Sequence, residues 1–199
     1  MAQMHVDPAR VRPFEDFAAF HDWLAQNHDR ETEIWVKIHK KGSGLRSIDW
    51  SGAVDAALCW GWIDGIKKTF DEASFLQRFT PRKPKSSWSR INVDKVGALI
   101  EAGHMTPHGL KHVEAARADG RWDAAYRVKD AEMPADLQAA IDADPRASAL
   151  FAVLSAQNRF ALIFRTTQMK TEAGRKTKIA DLTAMLARGE TPHPQKAKP

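Results

Sequence analysis

The positions of proline and glycine from residue 89 onward constrain the fold of this 199-residue chain more than any other feature. Prolines stand where first turns of helices tolerate them, and glycines stand where helices end. These positions are Pro107, Pro134 and Pro145, and Gly103, Gly120 and Gly189. Apolar residues recur between them at helical spacing. The pattern predicts helices over residues 90–102, 107–118, 134–142, 145–156, 158–168 and 172–188.

The first part of the chain mixes helical and strand patterns. Aromatic residues at helical spacing predict an amphipathic helix over residues 14–28, and Asp49 or Ser47 is placed to cap a second helix that runs to Trp60. β-branched and alternating stretches predict strands over residues 32–40, 62–70 and 74–80. We therefore expect an α+β fold, with a small antiparallel sheet and packed helices in the N-terminal part and an all-helical C-terminal half.

The same patterns divide the chain into three parts. Residues 1–130 are predicted to form a mixed α+β domain that carries a basic loop, and residues 131–190 a helical C-terminal subdomain. Residues 130–134 are the predicted linker between them. Residues 191–199 hold three prolines and two lysines, a composition that predicts a disordered tail.

Positive charge is concentrated in one short segment. Residues 75–90 carry five of the 30 Lys and Arg side chains and no acidic one, whereas residues 1–74 carry nine basic and 12 acidic side chains. A concentrated patch can select an anionic partner, whereas dispersed charge mainly affects solubility.

The cellular location is predicted from what the sequence lacks. Cys59 is the single cysteine, which excludes an intrachain disulfide and suits a reducing compartment. No apolar run approaches the roughly 20 residues that a membrane span needs, and the first residues lack the apolar core of a signal peptide. We therefore expect a cytoplasmic protein with no membrane span.

The basic loop that follows the third predicted strand is the leading candidate site. Its cations, with the nearby strand cation Arg78, are Arg82, Lys83 and Lys85. Pro81 and Pro84 stiffen the loop, which lowers the entropy lost on gripping a ligand. Trp88 offers a stacking face beside these cations, and Ser89 is placed to cap the next helix. The alternative is a solvated loop whose prolines end a strand and whose lysines keep a sheet edge soluble.

Asp64 is the candidate carboxylate of the site. If Phe70 pairs with Ser74 across the hairpin, Asp64 faces Thr80 and shares a sheet face with Trp62 and Arg78. Trp62 then forms a wall of the site and Asp64 orients the arginines. The structural alternative is an ion pair that only positions the loop, and the catalytic alternative is a general acid or base.

Motifs for cofactors and metals are weak or missing. His108 and His112 are spaced for one helix face, but the sequence provides no evident third ligand. Cys59 has no histidine or acid at motif spacing, which predicts an inert buried thiol. The chain contains no GxGxxG, P-loop, GxSxG or CxxC motif, and we expect no cofactor and no metal.

Five short motifs resemble the YdeI/OmpD-associated family, whose members are often labelled bacteriocin-protection proteins. They are Ala57–Asp64, Leu76–Arg82, Ser87–Ser89, Met105–Pro107 and Asp119–Trp122. The likeness runs from about Phe14 to Glu190, and a C-terminal part from Asn158–Arg159 to Leu186–Glu190 also looks typical of the family. It implies a role in tolerance to antimicrobial peptides or envelope stress, and it carries over no catalytic residue.

Together these observations favour a non-catalytic binding protein for an anionic partner, either single-stranded nucleic acid or a phosphorylated metabolite. Neutralising about five phosphates predicts a log–log salt slope near −3.5 for single-stranded nucleic acid. A small-substrate enzyme that uses Asp64, and a protein-interaction module with exposed tryptophans as hot spots, remain the alternatives.

Overall fold

The computed structural model describes residues 6–127 and 131–197. The chain forms two compact units, residues 1–125 and 126–199. The sequence predicts the boundary at residue 130, and the predicted linker also begins there. Residues 128–130 lie outside the described residues.

A mixed four-stranded sheet forms the centre of the first unit. Its strands are β1 (Val11–Pro13), β2 (Ile34–His39), β3 (Trp62–Thr69) and β4 (Ser74–Pro81), in the order β1-β2-β4-β3. β2, β4 and β3 pair antiparallel, but β1 runs parallel to β2. The prediction of an antiparallel sheet is therefore wrong at β1. Three residues are too few to show an alternation, and Pro13 suits an edge strand because it lacks an N–H.

The helices of the first unit begin where side chains cap them. They are α1 (Phe17–Asn27), α2 (Trp50–Cys59), α3 (Arg90–Glu101) and α4 (Pro107–Ala118). The caps are Asp16, Asp49, Ser89 and Thr106, and each side-chain oxygen accepts a backbone N–H of the first turn. The helices bury one face against the sheet, in a core that includes Phe20, Leu58, Phe79 and Val96.

The described part of the second unit is helical, as the sequence predicts. Its elements are α5 (Ala135–Asp142), α6 (Pro145–Ala152), α7 (Ala156–Thr167) and α8 (Glu172–Ala187), around a leucine-rich core. α6 ends four residues before its predicted end, because Ser155 caps α7. Within the described residues, no helix is long and apolar enough to cross a membrane.

The segment after α8 is packed rather than free up to Gln195. His193 and Gln195 hydrogen-bond to Asn158 near the start of α7. Composition, which predicts a disordered tail over residues 191–199, gives no indication of these contacts. Residues 198–199 lie outside the described residues.

Candidate functional site

A bulge in the β3–β4 hairpin decides which way the predicted site residues face. Near the turn, the Phe70 N–H donates to the Ser74 carbonyl at 3.3 Å, as the predicted pairing requires. The bulge that follows Asp64 then shifts the register by one residue, so Asp64 lies opposite Phe79 instead of its predicted partner. A one-residue shift turns a side chain to the other face. The prediction that Asp64 shares a face with Arg78 is therefore wrong.

Arg78 belongs to a separate ion pair. It lies opposite Trp35 of β2, and its Nε donates to Oε2 of Glu33 at 2.7 Å. A second guanidinium nitrogen contacts the same carboxylate oxygen. The charge of Arg78 is thus balanced within the first unit, away from Asp64.

Arg82 holds the basic loop from inside. Its side chain is 5% exposed, and its Nη2 donates to the Ser87 carbonyl at 2.8 Å. Its main-chain N–H donates to the Gly61 carbonyl at 2.9 Å, which ties the loop to the start of β3. The guanidinium lies 3.8 Å from the centre of the Trp88 ring. Arg82 therefore stabilises the loop from the interior and does not lie on the surface as an exposed cation.

The two predicted aromatic contacts are also internal. Trp88 is 2% exposed and packs between Arg82 and Trp122, whose ring centre lies 5.0 Å away. Trp62 is fully buried in the core, and its indole N–H donates to the His28 carbonyl at 3.3 Å. Neither ring presents an open face for stacking, because the surrounding side chains cover both.

Asp64 is half-buried beside partners from two helices and the loop. Burial raises the pKa of its carboxyl group, and hydrogen bonds from its own backbone N–H and the Trp50 indole oppose that rise. The charges of Arg82 and Lys95 oppose it more weakly. When the free-energy cost of burying a carboxylate exceeds the stabilisation from its neighbours, its pKa is raised, and such carboxylates are frequent at functional sites.

Lys95 links this carboxylate to a second one. Its Nζ lies 2.6 Å from Oδ1 of Asp55 in α2 and 2.8 Å from the Ser51 hydroxyl. The result is an alternating row of charges: Asp55, Lys95, Asp64 and Arg82. Trp50, which is 45% exposed, borders it.

The basic loop carries two exposed positive charges, and two of its carbonyl groups are already occupied. Lys83 and Lys85 are exposed. The Ser86 and Ser87 carbonyls accept hydrogen bonds from Arg121 and Arg82, both at 2.8 Å, so these acceptors are already occupied. Ser89 caps α3, which begins directly after the loop.

Several buried hydrogen-bond donors around the basic loop have no acceptor. In the described chain, the Ser86 hydroxyl, the Trp88 indole N–H and the Arg90 Nε are buried without a hydrogen-bond partner. Unsatisfied buried donors cost free energy. Their concentration next to the two exposed lysines makes this part of the chain rich in donors.

Histidines gather elsewhere in the first unit. His28 contacts the ring of His108, with ring centres 4.5 Å apart, and His108 lies 5.7 Å from His112. Burial lowers the pKa of His108 and of His112, and neighbouring positive charge lowers both further. Among residues 6–127 and 131–197, no group of three or more His, Cys, Asp or Glu side chains has an arrangement that could hold a metal ion.

Cys59 is buried at the end of α2. Burial raises the pKa of its thiol to about 12, and the charge of Asp55 adds to the effect. The thiolate is the reactive form of cysteine, and burial keeps Cys59 in the thiol form.

Sequence reasoning missed three residues that organise this region: Trp50, Lys95 and Arg121. No local signal marks them, because α2, α3 and the segment after α4 bring them in from distant parts of the chain. Of the predicted set, the structure brings together Asp64, Arg82 and Trp88 and leaves Arg78 apart.

Two family models match the chain. Residues 12–112 match a domain of unknown function (DUF8412). Residues 130–189 match the family described as bacteriocin-protection, YdeI or OmpD-associated, which confirms the resemblance inferred from sequence over that range. No curated protein and no solved structure matches the chain.

Proposed function

This chain belongs to the DUF8412 family, with residues 130–189 in the bacteriocin-protection, YdeI or OmpD-associated family, and we propose that it is a non-catalytic binding protein for a small phosphorylated metabolite. The basic loop at residues 82–89 is the binding site. The description of the second family suggests that binding serves bacteriocin protection or another stress response. The single, buried Cys59 is consistent with our placing the protein in the cytoplasm.

The observation that carries the proposal is the way two arginines hold the loop. Arg82 and Arg121 occupy the carbonyls of Ser87 and Ser86, so the loop is fixed from within. Lys83 and Lys85 then extend from a rigid base, and a rigid base loses little conformational entropy when a ligand binds. The nearby start of α3 favours an anion in the same place.

The same geometry favours a phosphorylated metabolite over single-stranded nucleic acid. Nucleic-acid binding of this kind uses aromatic platforms and a row of cations, but Trp88 is covered and Arg78 is paired with Glu33. Two exposed lysines match one or two phosphate groups. A protein partner would have to use another aromatic side chain, such as the exposed Trp50.

Thermal-shift and calorimetric titrations test the proposal. The probes are inorganic phosphate, a sugar phosphate and short single-stranded DNA, against wild type and a Lys83→Gln/Lys85→Gln variant. Exposed Lys170 and Lys176 of the second unit provide a control variant with the same change in net charge. We expect a phosphorylated probe to stabilise wild type and the control, but not the loop variant.

The salt dependence separates the two ligand classes. If two lysines contact single-stranded DNA, the log–log slope is about −1.4, compared with about −3.5 for five phosphates. Weak DNA binding with the shallow slope, beside tighter binding of the sugar phosphate, supports the proposal. A slope near −3.5, or a stabilisation that survives in the loop variant, contradicts it.

The raised pKa of Asp64 favours a second candidate function, acid–base catalysis on the same ligand class. Its carboxyl group lies within electrostatic reach of Lys95 and Arg82, a mixture of charges that suits proton transfer. Phosphorus NMR of each phosphorylated probe with wild type and Asp64→Asn tests it. Turnover by wild type that the variant lacks, with binding retained, favours catalysis, and an unchanged spectrum favours binding alone.

A further inference from the structure

A buried asparagine in the second unit binds the main chain of a distant segment. Asn158 lies in the first turn of α7 and is fully buried. Its Nδ2 donates to the His193 carbonyl at 3.0 Å, and its Oδ1 accepts the His193 N–H at 2.8 Å. Both main-chain groups of one residue are therefore held by one carboxamide. Such a contact does not depend on the side chain at that position.

Side-chain recognition occurs two residues later, at Gln195. Its Oε1 accepts from the Asn158 Nδ2 at 2.8 Å and from the Ser155 N–H at 3.1 Å. Its Nε2 donates to the Ala197 carbonyl at 2.9 Å and to the Val153 carbonyl at 3.4 Å. The site thus offers donors to one end of a carboxamide and an acceptor to the other, and a carboxylate cannot satisfy that acceptor.

The sequence around these two residues is preorganised for binding. Pro192 and Pro194 flank His193, and proline restricts φ in both free and bound states. The Thr191 hydroxyl donates to the His193 carbonyl at 2.8 Å, which further restricts the segment. The chain bends at Pro192 and His193, and a segment whose bent conformation is already restricted loses little entropy on docking.

We propose that the start of α7 is a peptide-recognition site and that residues 191–195 are its internal ligand. The external ligand is a Pro–X–Pro–Gln segment of a partner protein, which adopts the same bent conformation and replaces the internal one. Any segment that offers a main-chain N–H and carbonyl to Asn158, and a carboxamide two residues later, can make the same hydrogen bonds. Because an attached ligand acts at an effective concentration on the order of millimolar, the partner binds weakly until the internal segment is weakened or removed.

The first test uses a fluorescent peptide that copies residues 190–197 and a chain shortened after Glu190. We expect the shortened chain to bind this peptide at least about tenfold more tightly than the full chain. A peptide with Gln195→Glu should bind about tenfold more weakly, since its carboxylate faces the Val153 carbonyl. Equal binding of both peptides overturns the proposed carboxamide recognition.

A second test keeps the whole chain, in case the shortened one does not fold. Gln195→Ala weakens the internal ligand, and Lys196→Ala changes the exposed neighbouring residue as the matched control. We expect Gln195→Ala to bind the peptide several-fold more tightly than wild type and Lys196→Ala to behave like wild type. If Gln195→Ala binds no peptide at millimolar concentration while circular dichroism shows its helices intact, the segment is a fixed part of the fold and the proposal is wrong.

Discussion

Substituting Gly109 by alanine tests the close approach of α4 to the end of α2. Gly109 lies in α4, where a Cβ would stand 2.2 Å from the Cys59 carbonyl oxygen and 2.8 Å from its carbon. Real Cβ atoms essentially never approach closer than 3.0 Å. Because both opposing atoms are backbone, no side chain can rotate out of the way. The first turn of α4 must therefore move away from the end of α2.

The size of the effect follows from three contributions. Overpacking of this kind costs about 3 kcal/mol. Movement of α4 also strains the hydrogen bond from the Thr106 hydroxyl to the Cys59 carbonyl, now 2.6 Å long, which is worth about 1 kcal/mol. Alanine returns about 1 kcal/mol through its higher helix propensity. We expect Gly109→Ala to lower the free energy of unfolding by about 3 kcal/mol.

Gly97 provides the matched control. It also lies inside a helix, α3, but a Cβ there would meet nothing within 4 Å. Gly97→Ala should therefore raise the free energy of unfolding by up to about 1 kcal/mol through helix propensity alone. The two alanine variants should differ in opposite directions from wild type.

Urea unfolding followed by tryptophan fluorescence measures both variants. All seven tryptophans lie within residues 1–125, so the signal reports the unit that contains both glycines. A lower midpoint for Gly109→Ala and a higher one for Gly97→Ala are expected at similar m-values. If Gly109→Ala unfolds at or above the wild-type midpoint, the close approach of α4 to the Cys59 carbonyl is refuted.

Three further predictions concern thiol reactivity, pH and an ion pair. Cys59, with its pKa raised to about 12, should resist a disulfide reagent in the native protein and react once urea unfolds it; fast native labelling would contradict the burial. Burial, and to a lesser extent nearby positive charge, lowers the pKa of His108 and His112 in the folded protein. As the pH falls, these histidines are therefore protonated in the unfolded chain before they are protonated in the folded one. The stability that the two neutral histidines contribute is therefore fully present above their unfolded-state pKa of about 6.5 and decreases below it. In the His108→Asn/His112→Asn variant, the urea midpoint should decrease less between about pH 7 and pH 5 than it does in wild type. Glu33→Gln should lower the free energy of unfolding by about 1 kcal/mol, because it breaks the ion pair with Arg78. The same substitution should cost less in an Arg78→Met variant, where the pair is already broken. An equal loss of stability in both backgrounds would argue against coupling between the two side chains.

The sequence alone determined the helices and the hairpin turn of this protein. Pro107 and Pro145 open helices, and Asp49, Ser89 and Thr106 cap them as their positions indicate. These signals are readable because each acts within one turn of chain, through fixed φ or through a side-chain oxygen on a nearby N–H. The capping role of Ser89 could be predicted for the same reason.

Only the tertiary structure decided the geometry of the candidate site. One extra residue in β3 turns Asp64 away from Arg78, and the sequence does not indicate which strand carries the bulge. Packing from distant segments covers Trp88, places Lys95 near Asp64 and sets Gln195 against Asn158. Such contacts join residues far apart in the chain, so their energies depend on how the elements assemble. Local patterns therefore fixed the main helices and strands β2, β3 and β4, but not the short edge strand β1. Long-range packing fixed which side chains remain exposed.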